Sequence, residues 1–285
     1  MPEGQSTIIV NDKTCISCGI CVSLCPHGAL TIQERLPVIT GKCRVCGLCA
    51  ASCITKAISM RAKKFSDEGI VEEIEGDAVV FACRRKIEKG RDYGVKIISL
   101  LCSARFDPVL AAEAYLRGVK GIAVVGCEEC RNRYGSGEAE NKVWLLNEAL
   151  EMMGENARVV YANSIEDALE KMKAAEVKKP EILKLAMLDR NLRAAIAKMR
   201  QNVEEGNVYG EKVAREQYEN VVRELLKFAV NIAMVRHYAG DGAKVSEIAE
   251  KSGLTPEEVL EAVLEMKRRD EVDIEVEHEL AVIPR

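Results

Sequence analysis

The sequence lacks the signatures of several common catalytic and binding classes. It contains no G-x-G-x-x-G dinucleotide fingerprint, no Walker loop and no H-E-x-x-H motif, and its three histidines are scattered. No apolar run approaches the roughly 18–20 residues that a membrane helix needs. A formal net charge of -4 over 285 residues gives no reason to expect a nucleic-acid or membrane partner. These absences argue against nucleotide-dependent, zinc-protease and membrane-embedded classes.

The amino-terminal residues also lack a basic stretch followed by an apolar one, so we expect no signal peptide and a cytoplasmic protein. Against that background the twelve cysteines stand out. Because the cytosol keeps thiols reduced, their number argues against structural disulfides and favours metal ligation. The length and the 48% hydrophobic content predict a folded chain of two or three domains.

Eight of the cysteines form two runs of identical spacing, C-x2-C-x2-C-x3-C, before residue 60. Each cysteine of the first run recurs 28 residues later, which indicates an internal duplication. In this spacing three thiolates of a run bind one 4Fe–4S cube, and the fourth binds the other cube. The rule assigns a first cluster to Cys15, Cys18, Cys21 and Cys53, and a second cluster to Cys43, Cys46, Cys49 and Cys25.

Zinc also binds four thiolates, but it usually takes them from two C-x2-C pairs rather than from triplets with a remote fourth cysteine. We therefore favour two iron–sulfur clusters. Gly19 and Gly47 follow the second ligand of each run, where the backbone must bend closely around a cluster. Residues 5–62 resemble a bacterial-type two-cluster ferredoxin, and we place an α+β domain of that kind at residues 1–64. His27, beside a ligand, is interpreted as a surface residue.

From residue 76 the pattern alternates between short apolar runs and amphipathic stretches. The apolar runs predict buried strands at residues 78–83, 96–102, 121–127 and 157–162. The amphipathic stretches predict helices at residues 108–117, 142–153 and 164–174. Alternation at this spacing predicts an α/β domain, a parallel sheet with helices on both faces.

The remaining four cysteines lie at the carboxyl ends of predicted strands. Cys83, Cys102 and Cys127 each end a strand, and Cys130 follows three residues later. Because sites in open α/β sheets form at the carboxyl ends of strands, we expect the four thiols to lie together. They suit a 2Fe–2S cluster, a zinc ion or a redox disulfide pair; simple burial as small hydrophobic residues is the alternative.

Basic residues crowd the same edge of the predicted sheet, where positive charge would raise the potential of a cluster. They are Arg84, Arg85, Lys86, Arg105, Arg131 and Arg133.

Residues 76–175 resemble the delta subunit of the methyl-viologen-reducing hydrogenase, an electron-transfer domain that docks on a heterodisulfide reductase flavoprotein. The similarity lies in residues 102–108, 121–127 and 130–143. It implies a 2Fe–2S cluster on Cys83, Cys102, Cys127 and Cys130. The chain departs from the family in separating the last two of these cysteines by two residues rather than four. It also has arginines after the first strand, where the family often has further cysteines.

The carboxyl-terminal third changes character. Residues 181–238 carry apolar residues at helical spacing, which favours helices that pack on a core of their own; a docking surface is the alternative. The last segment predicts a winged helix, with helices near 245–251 and 256–269 and a strand pair across 272–283. This fold often binds DNA, but residues 241–285 hold thirteen acidic and six basic side chains, so we expect a protein contact and no nucleic acid.

The sequence thus predicts a multidomain α/β chain: a ferredoxin-like domain (1–64), an α/β domain (75–175), a helical connector (176–238) and a winged-helix-like domain (239–285). Its predicted cofactors are two 4Fe–4S clusters and one 2Fe–2S cluster. The resemblance implies an electron-transfer subunit of a hetero-oligomeric complex in anaerobic metabolism. It would link a hydrogenase- or formate-dehydrogenase-type donor to a heterodisulfide-reductase-like flavoprotein, without catalysis of its own.

Two other hypotheses remain at this stage. In the first, the chain is a redox-sensing regulator in which the clusters control the winged helix. In the second, the site between Cys83 and Cys130 carries reductase chemistry of its own.

Overall fold

The duplication in the cysteine spacing is also present in the backbone. The computed structural model describes residues 7–206, 209–240, 242–276 and 280–284. One half contains β1 (Ile8–Val10), α1 (Ile20–Ser23) and β2 (Leu30–Gln33), and the other contains β3 (Leu36–Ile39), α2 (Leu48–Ala51) and β4 (Ile58–Met60). Strand β1 pairs with β4 and β2 pairs with β3, both antiparallel. Each half therefore completes its sheet with a strand of the other half.

Left-handed backbone conformations repeat at the same interval of 28 residues. The pairs are Ser17 and Val45 (φ 58° and 56°), Gly19 and Gly47 (74° and 81°), and Gly28 and Lys56 (56° and 56°). Few residues adopt a positive φ without cost, so six such positions in register show that both cysteine runs wrap in the same way.

The predicted parallel sheet is confirmed. Its strands, in spatial order, are β6 (Lys96–Leu100), β5 (Ala78–Cys83), β7 (Gly121–Val125) and β8 (Val160–Ala162). All three pairings are parallel. Three strands are shorter than predicted: β6 and β7 end two residues before their cysteines, and β8 begins three residues late. Cys102 and Cys127 thus lie in loops just beyond the sheet.

Helices cover both faces of this sheet, as predicted. On one face α4 (Pro108–Leu116) and α5 (Gly135–Met152) pack against Phe81, Ile98 and Val124. On the other face α6 (Ile165–Lys171) packs against Val80 and Ala123. The start of α5 was predicted seven residues too late, because its first turn contains two glycines, which are poor helix formers.

Three further helices follow: α7 (Pro180–Met187), α8 (Arg190–Arg200) and α9 (Arg215–Ala239). The prediction that they pack on a core of their own is wrong. Ile182, Leu192 and Val222 belong to the same buried cluster as the α4–α5 face of the sheet. The connector is therefore a second helical layer on the α/β domain. The helical segment that continues α8 ends at Glu205.

The last segment contains β9 (Ala243–Lys244), α10 (Val245–Ser252), α11 (Pro256–Arg268), β10 (Val272–Val276) and β11 (Leu280–Pro284). The strands form one antiparallel sheet in the order β10–β11–β9. Thr255 and Glu258 make a reciprocal capping box at α11. The predicted helices and strands are present, apart from residues 277–279, which lie outside the described residues. Within the described ranges no helix is long and apolar enough to cross a bilayer.

Candidate iron–sulfur sites

The thiols assigned to the first cluster lie together. Burial, and to a smaller extent three neighbouring thiols, raise the pKa of Cys21 to about 11. Those neighbours are Cys53, Cys18 and Cys15. The structure therefore brings the remote Cys53 to the first run, as the crossed ligation pattern requires.

The thiols assigned to the second cluster share one internal cavity. Cys25, Cys43, Cys46 and Cys49 all lie in its wall. Burial raises the pKa of Cys49, and the other three thiols raise it further. Cys21, from the first set, also raises the pKa of Cys49. Cys21 and Cys49 also pack in the same hydrophobic cluster, so the two sets adjoin each other.

Backbone amides donate to these sulfurs in the same way in both halves of the duplication. The N–H of Ala29 donates to Cys25 Sγ at 3.3 Å, and the N–H of Ala57 donates to Cys53 Sγ at 3.2 Å. Hydrogen bonds to sulfur stabilise the thiolate, and they are one of the features that set cluster potentials. Both cysteines of the predicted crossed ligation thus have an amide donor.

The four remaining cysteines also form one group. Cys127 Sγ lies 3.6 Å from Cys83 Sγ. Burial and the thiols of Cys83 and Cys130 raise the pKa of Cys127. The guanidinium of Arg85 opposes part of this rise. The Cys102 thiol donates to Cys130, which raises the pKa of Cys102 and lowers that of Cys130. The four thiols expected at this edge of the sheet thus lie close together, Cys83 at the end of β5 and the other three in the loops beyond the strands.

The amino-terminal end of α5 surrounds Cys130. Backbone amides of Asn132, Gly135 and Ser136 donate to its sulfur and further lower its pKa. Gly135 must be a glycine, because a Cβ there would lie 2.6 Å from Cys102 Sγ and 2.9 Å from Cys130 Sγ. Sequence reasoning missed these residues, although the Gly-Ser-Gly run after the last cysteine was an available signal.

The second and third sets of thiols approach each other across a small apolar cluster. It contains Leu48, Cys102 and Ala104, and Cys46 and Cys130 pack against it. These contacts bring the edge of the second site next to the edge of the third.

A polar bridge lies at the same junction. His27 is half-buried rather than a surface residue, and its Nε2 lies 3.0 Å from Asn132 Oδ1. Asn132 in turn hydrogen-bonds to Cys102, which opposes part of the rise that Cys130 and burial cause in the pKa of that thiol. A residue next to Cys25 thus contacts the shell of the third site.

Arg105, one of the basic residues predicted at the sheet edge, is buried instead. Arg105 is only 1% exposed, so it is not a rim charge. Its Nε donates to the carbonyl of Phe65 at 3.0 Å, and its guanidinium pairs with Asp67. Its side chain also lies against Gly47, in the second cysteine run. Arg105 therefore joins the α/β domain to the duplicated domain, whereas Arg84, Arg85, Arg131 and Arg133 are exposed.

The donor chemistry of the three sets is uniform. Each set contains four thiols with amide donors nearby, which suits iron–sulfur clusters. Burial is deepest in the third set, where Cys83, Cys102 and Cys127 are buried, whereas Cys18 of the first set is exposed. In the part of the chain that the structure describes, no group of three or more His, Cys, Asp or Glu side chains is arranged to hold a single metal ion.

Comparison with protein families finds two matches, in separate parts of the chain. Residues 79–184 match the family described as methyl-viologen-reducing hydrogenase, delta subunit, and residues 8–31 match the 4Fe-4S binding domain. One segment of the chain is thus similar to a 4Fe–4S binding domain, and another is similar to a hydrogenase delta subunit. These matches give it a role in iron–sulfur electron transfer and support at least one 4Fe–4S cluster.

Three curated relatives point the same way. The chain is 28% identical over 167 residues to one subunit of the ferredoxin:CoB-CoM heterodisulfide reductase of Methanosarcina mazei, which is 51% of this chain and 21% of that protein. It is 29% identical over 166 residues to one subunit of the ferredoxin/F(420)H(2)-dependent CoB-CoM heterodisulfide reductase of Methanosarcina acetivorans, with the same two coverages. A ferredoxin of Pyrobaculum islandicum is 41% identical over 54 residues, 18% of this chain and half of the ferredoxin.

The chain thus spans about a fifth of the length of the reductase polypeptides that it matches. No solved structure matches it. None of the matches supports the regulator hypothesis.

Proposed function

We propose that the chain is a relay subunit that carries electrons through three iron–sulfur sites. Its donor is a hydrogenase- or formate-dehydrogenase-type subunit, and its acceptor is a heterodisulfide-reductase-like flavoprotein. The observation that carries the proposal is the continuous series of thiol groups. Cys21 and Cys49 share one hydrophobic cluster between the first two sites, and Cys46 shares another with Cys102 between the second and the third.

The ligand assignment follows the grouping of the thiols. Two sets of four would each hold a 4Fe–4S cluster, and the third would hold a 2Fe–2S cluster. They are Cys15, Cys18, Cys21 and Cys53; Cys43, Cys46, Cys49 and Cys25; and Cys83, Cys102, Cys127 and Cys130. When bound, these clusters supply one-electron redox chemistry.

The residues of the chain perform the remaining tasks. Leu48 and Ala104 pack between the second and third sites and exclude water from the path. Amide donors such as those of Ala29 and Gly135 stabilise the thiolates. Because electron tunnelling slows steeply with distance, the direct packing of these sites is what a relay requires.

The last segment fits a winged-helix-like module for protein contact. Its two helices and three-stranded sheet agree with that fold, and its thirteen acidic side chains against six basic ones would repel a phosphate backbone. We place its contact on a partner subunit of the complex. An electrophoretic shift assay under anoxic conditions should show no sequence-specific DNA binding.

Cluster content tests the three-site assignment. Anoxically prepared protein should contain about ten irons per chain. Cys102→Ser should remove about two irons and one electron paramagnetic resonance (EPR) signal, whereas Cys53→Ser should remove the signal of one 4Fe–4S cluster. About eight irons with one zinc would contradict the 2Fe–2S assignment and leave the ferredoxin-type sites intact.

Partner recovery tests the relay. Anoxic affinity purification of the native protein should recover a large flavoprotein together with a hydrogenase- or formate-dehydrogenase-type subunit. Cys102→Ser should leave the complex intact and stop electron throughput. Turnover of a small substrate by the isolated chain would instead favour reductase chemistry at the third site.

A further inference from the structure

A basic depression of about 470 Å³ lies beside the second proposed cluster. Cys25, a ligand in our assignment, forms part of its wall, and the other walls come from separate segments of the chain. Four of its side chains are basic, and one is acidic, that of Glu205. The cationic side chains are Lys42, Arg44, Arg133 and Arg200.

The buried cation of this depression is already neutralised. Arg200 is 4% exposed, and its Nε donates to Glu138 at 3.0 Å. Its Nη1 lies 2.5 Å from Glu205, and its guanidinium lies 3.7 Å from the centre of the Tyr134 ring. The arginine is thus fixed in place by two carboxylates and an aromatic ring, and it has little charge left for a ligand.

The three cations at the rim are different. Lys42, Arg44 and Arg133 are exposed, and their side chains form no ion pair with any residue that the structure describes. They come from two distant parts of the sequence, the second cysteine run and the loop after Cys130. The fold therefore collects unpaired positive charge at an open depression that includes Cys25 in its wall.

We propose that Lys42, Arg44 and Arg133 form a docking site for an acidic surface of a redox partner protein. The proposal rests on the proposed relay function and names the chemistry of one of its contacts. Charge complementarity across a polar rim steers redox partners together and sets their orientation. A partner seated here would bring its own redox centre close to the second cluster through Cys25.

The distribution of charge favours a protein over a small anion. A small anion needs buried donors that converge on it, and the buried guanidinium of Arg200 is occupied by Glu138 and Glu205. The free charges belong to long, exposed side chains on separate loops, which suit a broad and hydrated acidic surface.

Binding of an acidic flavoprotein tests the site. Full-length protein with its clusters would be titrated anoxically with a flavodoxin by isothermal calorimetry at low and moderate salt. We expect salt-sensitive binding that the triple variant Lys42→Glu, Arg44→Glu, Arg133→Glu weakens at least about tenfold, with loss of most of the salt dependence. The matched control, Lys89→Glu, Lys173→Glu, Lys251→Glu, makes the same change in net charge at exposed positions elsewhere and should retain most of the binding.

Several outcomes would overturn the docking site. One is the absence of salt-sensitive binding to the unchanged protein, and another is equal weakening in the two triple variants. Salt-sensitive self-association that the rim variant abolishes, measured by sedimentation, would assign the site to a second copy of the chain instead. Iron content and EPR spectra separate these failures from failure of the relay. Normal clusters with unchanged binding refute only the docking site, whereas protein without clusters refutes both.

Discussion

Arg193 holds the loop that carries Cys53, although 140 residues separate the two. Its Nε and Nη2 donate to the Cys53 carbonyl at 3.1 and 2.9 Å, and Nη2 also donates to the carbonyl of Ala51 at 2.9 Å. The guanidinium pairs with both carboxylate oxygens of the fully buried Asp107. Lys56 pairs with the same carboxylate at 2.8 Å. Helix α8 thus places a fixed cation beside a proposed ligand of the first cluster.

Replacing Arg193 by glutamine should lower the midpoint potential of one 4Fe–4S cluster and leave the other nearly unchanged. A cation beside a cluster favours the more negative, reduced state, and burial limits the screening of its charge. We expect a shift on the order of 50 mV, since a tenfold change in a one-electron equilibrium corresponds to about 59 mV. An EPR-monitored redox titration measures both potentials.

Arg190→Gln is the matched control for this change, because Arg190 lies exposed on the same helix. It should leave both potentials in place. Equal shifts of the two clusters in Arg193→Gln, or equal effects of the two variants, would contradict the assignment of Arg193 to the first cluster.

The contrast between Cys53 and Arg193 shows what the sequence can predict. The spacing of the cysteines predicts that Cys53 joins the first run, because a repeated cluster-binding loop has a recognisable local sequence pattern. Arg193 leaves none, since its partners are backbone carbonyls far away in the sequence. Arg105 is a similar case: the sequence groups it with the basic residues of the sheet edge, and only the fold reveals its burial against Gly47.

The same reasoning explains the errors in the fold. Amphipathic periodicity predicted helices after residue 180, but it does not tell which apolar surface covers them, so the shared core with the sheet was missed. Strand β6 was extended to Cys102 because the apolar run continues past the last ladder residue. At both places the sequence shows which residues are hydrophobic. It does not show which surfaces pack together or where strand pairing ends.

Gly135→Ala should damage the third site selectively. A Cβ there would overlap the sulfurs of Cys102 and Cys130. Because Gly135 lies in helix α5, the backbone cannot easily shift to remove this overlap. We expect loss of about two irons per chain and of the 2Fe–2S signal, with both 4Fe–4S signals retained. Gly137→Ala, two residues further along the same helix, has nothing within 4 Å of the added carbon and should keep all three signals. Full cluster content in Gly135→Ala would show that this close approach does not matter.

The duplication supplies its own control at the paired glycines. Gly19 and Gly47 both have a positive φ, so alanine at either position should cost about 1–2 kcal/mol. At Gly47 the added carbon would also lie 2.5 Å from Arg105 Cδ, whereas at Gly19 it meets nothing within 4 Å. We therefore expect Gly47→Ala to lower the melting temperature by several degrees more than Gly19→Ala. Equal melting temperatures would show that Arg105 is not held rigidly between the domains.

Lys142 gives a prediction about pH. It is almost completely buried, and its Nζ donates to the carbonyls of Ala104 at 3.1 Å and Phe106 at 3.0 Å, in the turn that follows Cys102. Burial lowers its pKa to about 8, which Glu138 partly opposes. The folded protein therefore releases this proton at a lower pH than the unfolded chain does.

Between pH 8 and about 10.4 the unfolded chain binds more protons at Lys142 than the folded protein does. The free energy of unfolding should therefore rise with pH across that window. The full effect would be roughly 3 kcal/mol. Melting curves of the unchanged protein and of Lys142→Met at a series of pH values measure it as a difference, which removes the titration of all other groups. We expect the advantage of the unchanged protein to grow from about pH 7.5 to about 9.5.

Lys198→Met, at an exposed position of α8, should show a constant difference. A difference for Lys142→Met that stays constant or falls with pH would mean that the lysine keeps its proton in the folded state, held by the two carbonyls and Glu138.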